Sequence, residues 1–265
     1  MDILQAILLA LVQGITEFLP VSSQAHLVIY SLITGQDYQG IDFDVILHFG
    51  SLFAVVAYFR QEIFTMTRDW LASVTGQGHS QDAKLAWLII LGTLPAGVLG
   101  LLFKDFAEVA LRSPVVMASA LIGFGLLLGL ADWRYRGERN EYDLGVRDVL
   151  IIGFAQALAL IPGTSRSGIT ITAGLFLGMS REATTRFSFL LSIPIIAAAG
   201  LLSSTDVLRS QTPLDPTLFL VGFAVSAIAT YVSIHYFLAF IRRIGMQPFV
   251  AYRIILGLVL LALYL

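Results

Sequence analysis

Two short polar runs, each broken by proline, concentrate the reactive side chains of an otherwise apolar chain. The first is Pro20-Val21-Ser22-Ser23, with Glu17 before it and His26 after it; the second is Pro162-Gly163-Thr164-Ser165-Arg166-Ser167-Gly168. Arginine offers a planar fork of donors that matches phosphate oxygens bidentately. Gly163 and Gly168 let backbone amides come close to an anion, as in backbone nests. His26 follows Ser23 by three residues, within reach on the first turn of a helix, so it is a candidate general acid or base beside a hydroxyl. Gln13 and Glu17 are four residues apart and share a helix face. A single carboxylate is a weak metal site, but Mg²⁺ typically takes one or two carboxylates together with substrate phosphates. The residue types therefore point to a phosphate-handling site. Two simpler roles compete: the hydroxyls at Ser22 or Ser23 and at Thr164 or Ser165 are natural helix N-caps, and Arg166 could serve only to pair with Glu17.

The elements that must carry these residues belong in a membrane. The chain of 265 residues is 57% hydrophobic and 13% charged, with mean hydropathy +0.83, whereas soluble domains carry roughly 25% charged residues. An isolated ionisable group in a bilayer costs at least ~2.5–3.5 kcal/mol, which makes Glu17, His26 and Arg166 candidates for function. A net charge of -2 gives no support for nucleic-acid binding, and the absence of cysteine excludes disulfides and thiolate chemistry. Met1-Asp2-Ile3 has no basic stretch ahead of the first apolar segment, which is expected to be retained as a helix.

Apolar runs at 43–59, 84–103, 113–133, 184–202, 217–240 and 248–265 each approach the ~20 residues needed to span. Regions 3–34 and 147–178 are apolar but interrupted at the proline motifs, which suits re-entrant helix pairs whose irregular backbone lines a cavity. The expected fold is thus an all-α integral membrane protein, one domain over 1–265, with six spanning helices and two re-entrant pairs. Gln13 through Pro20 resembles Gln156 through Pro162 with one residue deleted, and Pro114 through Leu130 can be laid on Pro248 through Tyr264, pairing Gly123 with Gly257. The halves, approximately 1–135 and 146–265, each hold three spanning helices. Because three is odd, the second half is inverted relative to the first, an architecture that places its site near the midplane where broken helices meet. Gly125-xxx-Gly129 reads as a helix-packing motif.

Orientation follows from basic residues. Loops at 60–84, 134–147, 179–186 and 241–247 share one side on this topology and hold Arg60, Arg68, Lys84, Arg134, Arg136, Arg139, Arg147, Arg181, Arg186, Arg242 and Arg243; the opposite loops hold Lys104, Arg112 and Arg209. The bias puts both termini outside. Asp42, Asp44 and His48 read as interfacial residues, and Asp132 through Asp148 as a solvated loop.

Gln13-xxx-Glu17, Pro20-Val21-Ser22-Ser23-xx-His26 and Pro162-Gly163-Thr164-Ser165-Arg166-Ser167-xx-Thr170 together resemble the undecaprenyl pyrophosphate phosphatase family, also known as bacitracin-resistance proteins. The resemblance covers the whole chain. It implies a bacterial inner-membrane enzyme that cleaves a polyprenyl diphosphate, undecaprenyl diphosphate, to the monophosphate and phosphate, recycling the lipid carrier of peptidoglycan synthesis. It also implies dependence on a divalent cation, Mg²⁺ or Ca²⁺, and a site open to the periplasm. Carried over, Glu17, Ser23, His26 and Arg166 match catalytic positions and Ser22, Ser165, Ser167 and Thr170 the surrounding polar shell; with Gly163 and Thr164 from the motif itself, these last are the expected substrate-binding residues. Glu17 and Gln13 would face the metal; the chain has Gln13 where many members carry a first glutamate. The type-2 phosphatidic acid phosphatases are set aside, because position 172 is threonine where their signature requires histidine.

In the mechanism these residues suggest, Ser23 attacks the terminal phosphorus and His26 manages the proton, or water attacks directly with Glu17 or His26 as base. A reading from another class is a transporter or flippase of an anionic polyprenyl lipid, since inverted repeats with half-helices at the midplane are transporter architecture.

Overall fold

A computed structural model describes residues 1–35, 41–76, 78, 80–111, 113–134, 137–209 and 215–264. Arg112 and Arg136, used above for orientation, lie outside the described residues. Among those described, five helices are long and apolar enough to cross a bilayer: α5 (Gln81–Ala110), α6 (Pro114–Arg134), α9 (Arg181–Arg209), α10 (Pro216–Ile244) and α11 (Gln247–Tyr264). A sixth span is α3 (Ile41–Tyr58), which meets the test together with α4 (Arg60–Val74), bent from it by 79°. The segment after residue 60, expected as a loop, is therefore a helix. Its lower hydropathy and its apolar residues Phe64, Leu71 and Val74, all exposed, suit a helix lying along the membrane surface.

The remaining helices are too short to cross. α1 (Ile3–Thr16), α2 (Ser23–Thr34), α7 (Val146–Ala157) and α8 (Arg166–Phe176) have 14, 12, 12 and 11 residues, against the ~20 that a bilayer requires. They form two broken pairs, α1/α2 and α7/α8. The breaks have a local cause: proline has no N–H to continue a helix and pushes the residue before it toward extended backbone. Ile161, before Pro162, sits at φ -78°, ψ 116°.

Helices of one half pack on those of the other in matched pairs. α1 lies on α10 as α7 lies on α5, α3 lies on α10 as α5 lies on α9, and α3/α9 and α6/α11 pair across the centre. Exchanging the halves, with α1, α3, α5 and α6 becoming α7, α9, α10 and α11, maps this set onto itself. Close approach explains two glycines: a Cβ on Gly14 would lie 2.6 Å from Ala229 Cβ in α10, and a Cβ on Gly153 would strike the Gly92 carbonyl in α5. Gly125 and Gly129 let α11 approach α6 at Arg253 and Val250, in keeping with their reading as a packing motif.

Polarity is inverted relative to a water-soluble protein. Leu101, Leu102, Leu220, Ile228 and Leu263 face outward, whereas Gln13, Ser51, Asp132 and Arg253 are buried. That is the arrangement hydrocarbon demands, because polar groups must find partners inside the protein.

One end of the molecule is tied by ion pairs. Arg181 Nε donates to Asp132 Oδ1 at 2.5 Å, Arg186 Nε to Glu141 Oε1 at 3.0 Å, Arg139 Nη2 to Asp148 Oδ2 at 2.6 Å, and Arg242 pairs with Glu182. The stretch from Asp132 to Asp148 is thus pinned rather than loosely solvated; Asp132 is 1% exposed. The backbone of Arg139 exchanges hydrogen bonds with Gly178 and Ser180 in the loop between α8 and α9. Burial, and the hydrogen bond its hydroxyl donates to Asp82 Oδ1, push the Tyr142 phenol up to about 12.

Candidate active site

The two broken pairs meet with their second helices starting side by side. Ser22 is the residue before α2 and Ser165 the residue before α8, and both adopt positive φ, 72° and 68°. Ser165 caps its helix, accepting from Gly168 N at 3.2 Å, while Ser22 makes no side-chain cap bond. The offset from Ser22 to Ser165 equals that from Gln13 to Gln156, so matching the two positive-φ serines keeps the glutamines in register, whereas matching the prolines needs the one-residue deletion. Pro20 then falls opposite Gly163, and Ser23 opposite Arg166. The prolines mark both breaks but lie one step apart in register.

Glu17 is the hub, with its carboxylate almost fully buried. Arg166 Nη2 donates to Glu17 Oε1 at 3.2 Å; Ser23 Oγ donates to Oε2 at 2.7 Å and Gln13 Nε2 to Oε2 at 2.8 Å. One residue from each re-entrant motif therefore meets at a single carboxylate. Arg166 keeps Nη1 buried with no partner, and its guanidinium lies 5.4 Å over the Phe18 ring. Gln13, having given its amide N–H to Glu17, leaves Oε1 buried without a partner. Of the two expected metal ligands, Glu17 lines the cavity and Gln13 does not, presenting its amide N–H to Glu17; the carboxylate is the group suited to a divalent cation.

These groups open on a cavity of about 700 Å³. Glu17, Ser22, Ser23, Gly163, Ser165 and Arg166 form its polar wall, and Leu27, Val28, Met117, Ile161, Ile195 and Ile196 its apolar one. A polar pole grading into an apolar slot suits an amphiphile with an anionic head. Gly163, at φ 92°, passes so close to the Met117 carbonyl that any side chain would collide with it.

Other expected residues lie behind the cavity wall. Ser167 Oγ donates to the Leu19 carbonyl at 2.9 Å, joining the two motifs, and Thr170 Oγ1 is 2.6 Å from Ser188 Oγ. Thr164 is fully buried, with Oγ1 unpartnered. His26 turns away from Ser23. Its Nδ1 is 2.8 Å from the Ser22 carbonyl, which can only accept, so Nδ1 carries the proton there, and in the neutral ring Nε2 accepts from the Tyr252 hydroxyl at 2.6 Å. The ring stacks on Tyr252, with centroids 5.6 Å apart.

Two residues were missed by sequence reasoning. His48, assigned above to the interface, lines the cavity with Asp44, and its Nε2 is 3.6 Å from Glu17 Oε2. Arg253, 0% exposed, spans both motifs: Nη1 donates to the Pro20 carbonyl at 3.3 Å, and Nη2 to those of Gly163 at 3.1 Å and Thr164 at 2.8 Å. Its Nε also donates to the Leu121 carbonyl at 3.2 Å. A lone cation inside the apolar run of α11 was the available signal.

Comparisons with known proteins give the family. Residues 6–259 match the family model described as bacitracin resistance protein BacA. Undecaprenyl-diphosphatase 2 of Stutzerimonas stutzeri is 56% identical over 267 residues, covering 100% of this chain and 99% of that protein. Undecaprenyl-diphosphatase of Nitrosococcus oceani is 49% identical over 264 residues, covering all of both chains. With its two broken helix pairs, its shared carboxylate and a match running through all but the first and last few residues, the chain belongs to the bacitracin resistance protein BacA family.

Proposed function

We propose that this protein is a membrane phosphatase that hydrolyses undecaprenyl diphosphate to undecaprenyl phosphate and phosphate, regenerating the lipid carrier used in cell-wall synthesis. The observation that carries the reading is the Ser23–Glu17–Arg166 constellation at the polar end of a cavity with an apolar slot. Phosphoryl transfer depends mostly on positioning and charge stabilisation. The unpartnered Nη1 of Arg166 and the start of α8 supply donors for the terminal phosphate.

Ser23 Oγ attacks the terminal phosphorus and passes its proton to Glu17 Oε2, which it already faces. The bond from that phosphorus to the bridging oxygen breaks, and the electron pair leaves with undecaprenyl phosphate, which takes the proton from Glu17 and restores the carboxylate. Glu17 then deprotonates a water that attacks the phosphoserine phosphorus; the bond to Ser23 Oγ breaks, Ser23 takes the proton back from Glu17, and phosphate is released. In the competing route water attacks the substrate directly, with Glu17 as base. A phosphoserine trapped at position 23 after rapid quenching supports the first route; its absence during turnover supports the second. His26 acts as a positioning residue rather than as the proton carrier first expected, because both ring nitrogens are engaged by Ser22 and Tyr252.

Glu17 is where a divalent cation, Mg²⁺ or Ca²⁺, would sit, and when bound it neutralises charge on the diphosphate. The cavity draws on Asp44 and His48 near the start of α3 and on Gly200 and Ser203 in the later half of α9, away from the arginine-rich end. With that end cytoplasmic by the positive-inside rule, the termini and the site face the periplasm of the inner membrane.

The test is phosphate release from the C55 diphosphate by purified protein in detergent, with and without EDTA. Release that EDTA abolishes is expected, and no release with any divalent metal would overturn the enzyme reading. Transport of an anionic polyprenyl lipid, the alternative reading, leaves the Ser23 hydroxyl on Glu17 without a task.

A further inference from the structure

The ring of His48 is fixed by its own helix. Nδ1 lies 2.8 Å from the Asp44 carbonyl one turn earlier, and a carbonyl only accepts, so the Nδ1 proton is committed there. Nε2 is thereby aimed across the cavity at Glu17 Oε2, 3.6 Å away. That separation exceeds a hydrogen bond. Oε2 already accepts from Ser23 and Gln13, while Oε1 is held by Arg166. With a second proton on Nε2 the contact is an ion pair; without one the Nε2 lone pair faces the carboxylate oxygen and calls for a cation between them.

Two donors about 2.1 to 2.4 Å from one ion lie about 3.0 to 3.4 Å apart at the right angle of an octahedral site, so 3.6 Å is within a few tenths of an ångström of a shared ion. Histidines that bind metals characteristically give their other ring N–H to a carboxylate or backbone carbonyl, which is what Asp44 receives. Among the described residues no group of three or more His, Cys, Asp or Glu stands ready to hold a metal. The remaining positions would fall to substrate oxygens and water.

We propose that His48 is a nitrogen ligand of the divalent cation, forming with Glu17 a two-residue cradle that the substrate diphosphate closes. The proposal rests on the cation reading above and goes beyond it. An imidazole ligand favours Mn²⁺, Co²⁺ or Zn²⁺ over Mg²⁺ and Ca²⁺, which prefer oxygen. His48 thus takes a place on the metal that an all-oxygen set would leave to another carboxylate or to water.

The experiment measures Mn²⁺ binding by electron paramagnetic resonance in purified full-length protein with methylenediphosphonate as a non-hydrolysable diphosphate. Pulsed spectra of the wild type are expected to show ¹⁴N coupling to bound Mn²⁺. The coupling should vanish in both His48→Leu and His48→Gln and persist in His26→Leu. His48→Leu should weaken Mn²⁺ binding by about tenfold or more. His48→Gln, which offers an amide oxygen, should weaken Mn²⁺ more than Mg²⁺ and carries the test if the leucine variant fails to fold.

Mn²⁺ that binds in a Glu17-dependent manner without nitrogen coupling, or with coupling that survives both His48 substitutions, overturns the proposal and leaves the cation reading standing. Absence of Mn²⁺ binding to the wild type overturns both.

Discussion

Ser22 and Ser165 share one rare backbone conformation, at φ 72° and 68°, and each immediately precedes the second helix of a broken pair. Two non-glycine residues held in a sparsely populated region at equivalent points of a repeat mark where the fold stores strain to turn two helix starts toward one cavity. The carbonyl of Ser22 is held by His26 and the hydroxyl of Ser165 by Gly168 N, so each turn has its own tie.

Ser22→Gly should relieve that strain without removing a cap, because the Ser22 side chain makes no cap bond. Its stability should exceed that of Ser22→Ala by about 1 kcal/mol. Ser165→Gly should gain less, since it loses the bond to Gly168. Melting temperatures of the three variants in one detergent check the order; a Ser22→Gly variant less stable than Ser22→Ala would remove the strain argument.

Ser23→Ala should lower turnover by about 10²-fold or more, with little change in melting temperature. Ser23 contributes one hydroxyl bonded to Glu17, and its loss leaves Gln13 and Arg166 still holding the carboxylate. Phosphate release measured alongside thermal unfolding separates the two effects.

Arg166→Lys should fail nearly as badly as Arg166→Ala. One guanidinium nitrogen binds Glu17 while another is left for substrate, a division that a single ammonium at the end of a flexible stem cannot reproduce. Turnover of the lysine variant within about tenfold of wild type would show that charge alone suffices.

Arg253→Met should destabilise the protein by about 3 kcal/mol or more, since it strips donors from the buried carbonyls of Pro20, Gly163, Thr164 and Leu121. Arg253 does not line the cavity. The loss of activity should therefore follow loosening of the two motifs and appear in a depressed melting temperature. An unchanged melting temperature would place the role of Arg253 elsewhere.

Tyr142→Phe tests the tied face. The folded phenol is raised from 10.0 to about 12, so its contribution to stability is complete below pH 10 and is lost as pH rises through about 12. The phenylalanine variant should be about 1 kcal/mol less stable at neutral pH, having lost the bond to Asp82. Its melting temperature should also fall less steeply over the alkaline window. Parallel alkaline limbs in the two proteins would rule out this titration.

Much of the architecture was legible in the sequence because hydropathy, proline and hydroxyl runs act locally. Pro20 and Pro162 fall at helix breaks beside runs of hydroxyls, whereas Pro95 and Pro194, with no such run beside them, sit inside α5 and α9; apolar stretches of about 20 residues span whatever their neighbours are. The same local logic picked out Glu17, Ser23 and Arg166, since charges and hydroxyls in hydrocarbon need a reason to be there. Tertiary structure alone decided what these residues meet. His48 in α3 faces Glu17, and Arg253 in α11 reaches both motifs, because helix rotation and inter-helix packing set those contacts and hydropathy is blind to them. His26, near Ser23 in sequence, turns instead to Tyr252 in α11, a partner supplied by a helix over two hundred residues away. Pro20 and Pro162 match only with one residue deleted, yet the two turns are equally spaced from Gln13 and Gln156. Proline matches by letter, whereas the turn is defined by where φ becomes positive, at Ser22 and Ser165.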